Sequence, residues 1–306
     1  MKDIHTDKIA ILLATYNGEK YIRQQLESLG AQTYKDIDVV VRDDKGVDNT
    51  SSILNSHNVT VISADENIGA KNSFASLLSY AITNCDAKYF MFCDQDDVWH
   101  RDKVYRSVLK IKEMENEFGN VPLLVHSDLE VVDEKLSLIN NSFMHYQKID
   151  ASKNSFNKLL MQNTITGCTV VINRELAIKC LPMPEKAIIH DWWIGLVASK
   201  FGQIGYIDEP TIKYRQHGSN VIGAKGFSFK FVMSSVFKKV ILIDNVNQAG
   251  AFLLQFGSEL DENTKKMLRD FSLLNEQSFF KKRYIIYKYK LFKQGIIRNI
   301  GLFIKI

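Results

Sequence analysis

Four short apolar runs lie in the first hundred residues, each running into a polar cluster and separated from the next by helical spacing. Residues 9–14 form the first run, which ends in Thr15-Tyr16-Asn17-Gly18. Tyr21, Ile22, Leu26 and Leu29 then recur at helical intervals. Residues 37–41 are rich in valine and isoleucine and lead into Arg42-Asp43-Asp44-Lys45-Gly46. Residues 47–55 suit a helix, 59–63 a strand, and 70–82 a helix with Asn67 and Gly69 at its mouth. Residues 89–93 form a strand that runs straight into Asp94-Gln95-Asp96-Asp97. This alternation predicts a mainly parallel sheet with helices on its faces. In such sheets ligands bind outside the carboxyl ends of the strands, where these polar clusters converge.

The second half is less regular. Strands are expected at 123–126, 129–132, 168–172, 204–207 and 211–215, and helices at 175–180 and 192–200. Beyond Gly226 the pattern is helical. A chain of 306 residues with 45% apolar content affords one large α/β domain and an appendage. No apolar run reaches the length of a transmembrane helix. The polar residues 1–8 lack the apolar core of a secretory signal. Cys85, Cys93, Cys168 and Cys180 show no Cys-x-x-Cys spacing, so free thiols in the cytoplasm are expected.

Three carboxylates in four residues repel one another unless a cation or strong donors stand nearby. Hard oxygen ligands suit Mg²⁺ or Mn²⁺, which bind one or two carboxylates together with substrate phosphates. A solvated acidic turn is the alternative. No Gly-x-Gly-x-x-Gly or P-loop follows any strand, which leaves dehydrogenase and kinase readings without support.

The string Phe92-Cys93-Asp94-Gln95-Asp96-Asp97-Val98-Trp99 resembles the Asp-x-Asp motif of family 2 glycosyltransferases, most closely the form found in rhamnosyltransferase-like members. Ala14-Thr15-Tyr16-Asn17-Gly18, Arg42-Asp43-Asp44 with Asp48-Asn49-Thr50, and Asn67-Ile68-Gly69 match the same family in order. So do Thr166-Gly167-Cys168, His190-Asp191-Trp192-Trp193 and Tyr214-Arg215-Gln216-His217-Gly218-Ser219-Asn220. The resemblance spans residues 8–223 and implies a GT-A fold, a Rossmann-like mixed α/β sheet flanked by helices. One segment departs from the family, which usually reads Asp-Asp-Gly-Ser-x-Asp where this chain has Asp43-Asp44-Lys45-Gly46-Val47-Asp48.

The resemblance implies roles. Thr15, Tyr16 and Asn17 would flank the donor nucleotide, and Asp44 would accept from the pyrimidine N3–H. Asn67 and Lys71 would serve the base or diphosphate at a helix start. Asp94 would approach the ribose or the metal, and Asp96 would bind the metal, with His217 as a third ligand. Asp97 would support its neighbours. Asp191 would be the catalytic base of an inverting transfer, and Trp192 and Trp193 would divide between acceptor site and core. Cys168 reads as a small core residue. The implied cofactor is Mn²⁺ or Mg²⁺, with a dTDP- or UDP-sugar as donor. The expected reaction moves L-rhamnose onto a lipid-linked glycan acceptor in cell-surface polysaccharide assembly, with a UDP-hexose or UDP-N-acetylhexosamine donor as the alternative. A metal-dependent phosphohydrolase and a non-catalytic sugar-binding module are the readings from other classes.

The net charge of +4 conceals an asymmetry. Residues 277–306 carry eight Lys or Arg and no Asp or Glu, interleaved with aromatic and branched side chains. We therefore expect a catalytic region at 1–223, divided near residue 100 into donor and acceptor halves. A helical basic region at 224–306 would follow, lying on an anionic membrane surface on the cytoplasmic side. Phe227, Phe229, Lys230, Phe231, Phe237, Lys238 and Lys239 would extend that surface. Packing on the catalytic region or in a homodimer interface is the alternative. The acidic body argues against nucleic acid as a partner.

Overall fold

The computed structural model describes residues 7–218 and 242–306. The first hundred residues hold β1 (Ile9–Thr15), α1 (Ile22–Gly30), β2 (Ile37–Asp43), α2 (Thr50–Asn55), β3 (Thr60–Ile62), α3 (Gly69–Asn84), β4 (Tyr89–Cys93) and β5 (Val98–Trp99). The middle of the chain holds α4 (Lys103–Phe118), β6 (Leu123–Val132), β7 (Leu138–Asn140), α5 (Phe143–Gln147), α6 (Phe156–Leu159), β8 (Val171–Asn173), α7 (Arg174–Lys179), α8 (His190–Phe201) and β9 (Gln203–Arg215). Four helices close the chain: α9 (Ile243–Phe256), α10 (Glu262–Ser272), α11 (Phe279–Lys288) and α12 (Ile296–Lys305).

The strands form one sheet in the order β3-β2-β1-β4-β8-β6-β9-β5, with β7 pairing β6. β3, β2, β1 and β4 are parallel. β8 runs antiparallel between β4 and β6, and β6 pairs parallel with β9. The sheet is therefore mixed, with its parallel half built from the alternating segment of the sequence. The pair of strands expected at 204–207 and 211–215 is one strand, because the polar Asp208-Glu209-Pro210 interruption is absorbed by a register shift against Ser127 and Asp128. The two expected at 123–126 and 129–132 likewise merge into β6.

β1 shows why a continuous apolar strand suits this place. Ile9, Ile11 and Leu13 enter one core with Ile22 and Leu26 of α1 and Val104 and Ile111 of α4. Ala10 and Leu12 enter the other with Phe74 and Leu77 of α3 and Trp193 and Leu196 of α8. Strands buried on both faces need apolar residues at every position. Truncating Leu12 to alanine would cost about 2–5 kcal/mol through lost burial and the cavity left behind.

The second core continues into the C-terminal helices. Phe252, Phe256, Phe271, Ile285, Ile286 and Leu302 all belong to it, so the last four helices pack onto the sheet's helical layer rather than around a core of their own. No helix among the described residues is long and apolar enough to cross a membrane. The expected extension through Phe227, Phe229, Lys230, Phe231, Phe237, Lys238 and Lys239 lies outside the described residues, as do Ser219 and Asn220.

Candidate active site

The register of β1, β2 and β4 brings Thr15, Asp43 and Cys93 to the same end of the sheet, since Thr15 pairs with Asp43 and Leu13 with Cys93. The loops that leave these strands are bound to one another by side chains. Thr15 Oγ1 donates to Asp43 Oδ1 at 3.0 Å. The Gln95 amide grips the backbone of Tyr16 twice, accepting from its N–H at 2.8 Å and donating to its carbonyl at 3.1 Å. That grip holds the Tyr16 ring half exposed at the mouth of the site. Gly18 is needed beside it, because a Cβ there would sit 2.4 Å from Gln95 Oε1. Asn17 Oδ1 accepts from Val47 N at 2.8 Å and so fastens the β1 loop to the β2 loop.

The irregular Asp43-Asp44-Lys45-Gly46 turn has a simple geometry. Lys45 adopts φ 59°, the left-handed conformation that glycine takes without a steric penalty. The displaced glycine, Gly46, lies where a Cβ would meet Asn17 N at 3.0 Å. The chain therefore keeps the turn at Lys45 and spends its glycine on the close approach of the two loops.

Two expected donor ligands are committed to the chain itself. Asp44 is buried, and its carboxylate accepts from Arg42 Nη2 at 3.2 Å, from Ile68 N at 3.1 Å and from Gly69 N at 2.8 Å. These bonds join the end of β2 to the start of α3. The half-buried carboxylate beside it, Asp43, accepts from Thr15 Oγ1 and is pushed above the usual carboxylate range by burial, against the lowering by its bonds to the Thr15 hydroxyl and the Gly46 backbone. Lys71 is likewise occupied: its ammonium donates to the carbonyls of Glu185 at 2.6 Å and Ala187 at 3.2 Å. It thereby anchors the segment that leads into α8. Asn67 Oδ1 accepts from Gly69 N at 3.1 Å and shapes the start of α3.

The acidic cluster follows β4. His217 Nε2 and Asp96 Oδ2 lie 2.7 Å apart, and both side chains are largely shielded. Asp94, Asp97 and Cys168 present ligand atoms within 4.8 Å of one another. Asp97 is fully buried, with Oδ1 accepting from Arg215 N at 3.1 Å and Oδ2 without a hydrogen-bond partner. Burial raises the carboxyls of Asp94 and Asp97, and Asp96 adds repulsion in both cases. The Cys168 thiol is also pushed up by burial, with the charges of Asp97 and Asp94 adding to the rise. The convergent oxygens of Asp94 and Asp97 are hard donors that suit a divalent cation, while Asp96 lies against His217 beside them.

Three supporting residues escaped the sequence reading. Arg215 donates from Nε to the carbonyl of Asp96 at 2.8 Å, from Nη1 to that of Glu134 at 2.6 Å and from Nη2 to Gln24 at 2.5 Å, so it fixes the acidic loop to the sheet. Gln95, the variable position of the acidic motif, holds Tyr16. Lys103 is fully buried behind the cluster, where burial lowers it to about 8 and the neighbouring thiols and Asp97 oppose that shift. Its Nζ donates to Thr169 O at 3.4 Å. Arg215 stands inside a motif already singled out. Lys103 carries no local signal, since a lysine in the first turn of a helix reads as solvated.

Asp191 stands in the first turn of α8, where the helix N-terminus favours negative charge. Its Oδ1 accepts from Trp192 N at 2.6 Å and from Asn163 Nδ2 at 3.2 Å. Burial nevertheless raises it to about 7. Asp191 is close enough to Asp94 to contribute to the raising of that carboxyl. Gly167 admits both members of the His190-Asp191 pair, because a Cβ there would lie 2.7 Å from His190 Nε2 and 3.4 Å from Asp191 Oδ2. His190 stacks on Phe74 and Phe92, is lowered by burial to about 3, and has no partner for either ring nitrogen. Trp193 is core, whereas Trp192 is half-buried and donates through Nε1 to Leu159 O at 2.5 Å. Trp193 is thus the core member of the pair.

Residues 10–181 match the family model described as glycosyl transferase family 2. A dTDP-rhamnosyl transferase, RfbG of Shigella flexneri, is 27% identical over 257 residues, covering 76% of this chain and 79% of that protein. WfgD of Escherichia coli, a UDP-Glc:alpha-D-GlcNAc-diphosphoundecaprenol beta-1,3-glucosyltransferase, is 27% identical over 221 residues, covering 71% of this chain and 80% of that protein. Among solved structures, S. aureus TarS 1-349 in complex with UDP-GlcNAc superposes with a TM-score of 0.58 at 18% identity, covering 93% of this chain and 76% of that one.

Proposed function

The chain belongs to glycosyl transferase family 2, and we propose that it is an inverting transferase in which Asp191 takes the proton of the acceptor hydroxyl. The placement of Asp191 carries this reading. A carboxylate held near neutrality by burial, fixed by two hydrogen bonds and close to Asp94, meets the requirements of a general base. As the acceptor oxygen attacks the anomeric carbon, the bond from that carbon to the diphosphate oxygen breaks. The hydroxyl proton passes to Asp191, and the nucleoside diphosphate leaves from the opposite face.

Asp94, Asp96 and His217 would hold Mn²⁺ or Mg²⁺, which when bound offsets the charge on the departing diphosphate. Arg215 keeps the Asp96 loop in place for that task. Thr15, Tyr16 and Asp43 form the nucleotide side, with Tyr16 offering an exposed ring and Asp43 an acceptor for a pyrimidine N–H. Asp44, Asn17, Asn67 and Lys71 build the walls that hold them.

L-rhamnose from dTDP-L-rhamnose is our first choice of donor, supported by the likeness to RfbG over most of both chains. The likeness to WfgD supports a UDP-hexose as the second. Both are consistent with a glycan acceptor carried on a lipid, in the assembly of a cell-surface polysaccharide. Thermal-shift measurements with dTDP, UDP, GDP and CMP, with and without Mn²⁺, test the donor assignment. Stabilisation by dTDP or UDP that grows with Mn²⁺ is expected. Stabilisation by none of the four would overturn it.

A further inference from the structure

The last two helices carry an outer surface that the transfer reaction does not use. Their inner faces enter the core through Ile285, Ile286 and Leu302. Their outer faces expose Phe279, Phe280, Tyr284 and Tyr287 of α11 and Ile296, Ile297, Ile300 and Ile304 of α12. Of the nineteen large apolar side chains exposed among the described residues, eight fall on these two ten-residue helices. A concentration of this kind marks a surface that meets something apolar.

The surface is rigidly mounted. Arg283 of α11 donates to the carbonyl of Ile306 at 3.2 Å and to that of Ile304 at 3.4 Å, binding α11 to the end of α12. Arg298 donates to Gln147 O at 2.7 Å and Lys148 O at 3.2 Å, binding α12 to the middle of the chain. These two arginines are structural. A cavity of about 700 Å³ opens beside α12, walled by Lys158, Lys293, Ile296, Ile300, Phe303 and Ile304. Lys153 at its rim is paired with Asp150 at 3.0 Å. Lys158 and Lys293 have no carboxylate partner among the described residues, and burial lowers Lys293 below the usual lysine range. Lys293, from the segment with eight Lys or Arg and no acid, and Lys158 from α6 stand beside an isoleucine wall and call for an anionic occupant.

The ordering of groups identifies that occupant. Lysine heads beside branched and aromatic side chains match a boundary where phosphates lie above hydrocarbon, and the two exposed tyrosines suit its interfacial layer. A helix of ten residues is too short to span a bilayer, so it would lie in the plane of the surface. We propose that α11 and α12 are an in-plane docking surface for an anionic phospholipid bilayer, with the exposed isoleucines and phenylalanines entering the acyl boundary and Lys158 and Lys293 meeting lipid phosphates. This goes beyond the transfer reaction and stands whichever donor sugar is used.

Co-sedimentation of the full chain with two kinds of vesicle tests it, one of phosphatidylcholine alone and one containing phosphatidylglycerol. Binding is expected only to the second, and it should weaken as ionic strength rises. The Lys158→Gln/Lys293→Gln variant should bind roughly tenfold less. Ile300→Glu/Ile304→Glu should not bind, while keeping the stabilisation by nucleotide that reports an intact donor site. Wild-type binding that ignores lipid charge or salt would overturn the proposal. So would a chain that binds neither vesicle and instead forms a dimer that Ile300→Glu/Ile304→Glu dissociates.

Discussion

The loops after β1 and β2 and the start of α8 line the same site, but they treat their polar groups in opposite ways. Asn17 and Asp44 of these loops, with Gln95 after β4 and Lys71 of α3, bind backbone partners, and each bond joins two segments of the chain. At the reacting side, Asp97 keeps an oxygen without a partner, both nitrogens of His190 are unpaired, and Asp191 is held near neutrality by burial. A buried polar group left unsatisfied costs about 1–3 kcal/mol. Unpaired buried atoms occur elsewhere among the described residues, Arg42 Nε at the end of β2 included, so what marks the proposed reacting side is that titratable groups are left unpaired beside Asp94 and Asp191. One region is scaffold, finished before substrate arrives. The other is kept unrelaxed, which is what a group that must exchange a proton requires.

Changes at the reacting side should remove chemistry and leave the fold. Asp191→Asn is expected to lower kcat by about 10²–10⁴-fold, with donor affinity nearly unchanged, as read by steady-state kinetics and nucleotide titration. Asp96→Asn and His217→Ala should each abolish the Mn²⁺-dependent part of nucleotide binding, measured by calorimetry, with the metal-free part retained.

Changes in the loops should do the reverse. Asp44→Asn strips a buried carboxylate from Arg42 and two backbone N–H groups, and a loss of about 2–4 kcal/mol in urea unfolding is expected. An Asp44→Asn protein of normal stability that fails only to bind nucleotide would erase the distinction between the two regions. The smallest effect belongs to Lys45→Gly. It relieves the left-handed backbone but frees the unfolded chain and gives up the bond from Lys45 Nζ to Asp65 O, so a stabilisation below about 1 kcal/mol is expected by the same measurement.

The parallel half of the sheet was legible because burial on both faces demands unbroken apolar runs, and each run ended where a loop had to be polar. β9 was read as two strands because Asp208, Glu209 and Pro210 interrupt the pattern, and only the register against β6 shows how the strand continues. α4 was passed over, although Val104, Val108 and Ile111 recur at helical spacing in its charged sequence. At the site, the acids and Asp191 stood out by type and order. What each acid does depended on partners distant in the chain. Asp44 and Asp43 are neighbours with the same chemistry, and only the position of the Ile68 and Gly69 N–H groups shows which of them is occupied. The same limit hid Lys103, whose burial is set by strands and helices that fold around it.

The pH dependence of kcat at saturating donor and acceptor tests the role of Asp191 most directly. Its carboxyl is raised by burial to about 7 and must be ionised to accept a proton. The rate should therefore fall as pH drops through about 7, with one proton taken up, and this limb should be missing from the residual activity of Asp191→Asn. A rate that stays level well below neutrality, or an acid limb that survives in Asp191→Asn with Mn²⁺ saturating so that Asp94, also raised to about 7, stays ionised, would contradict the account.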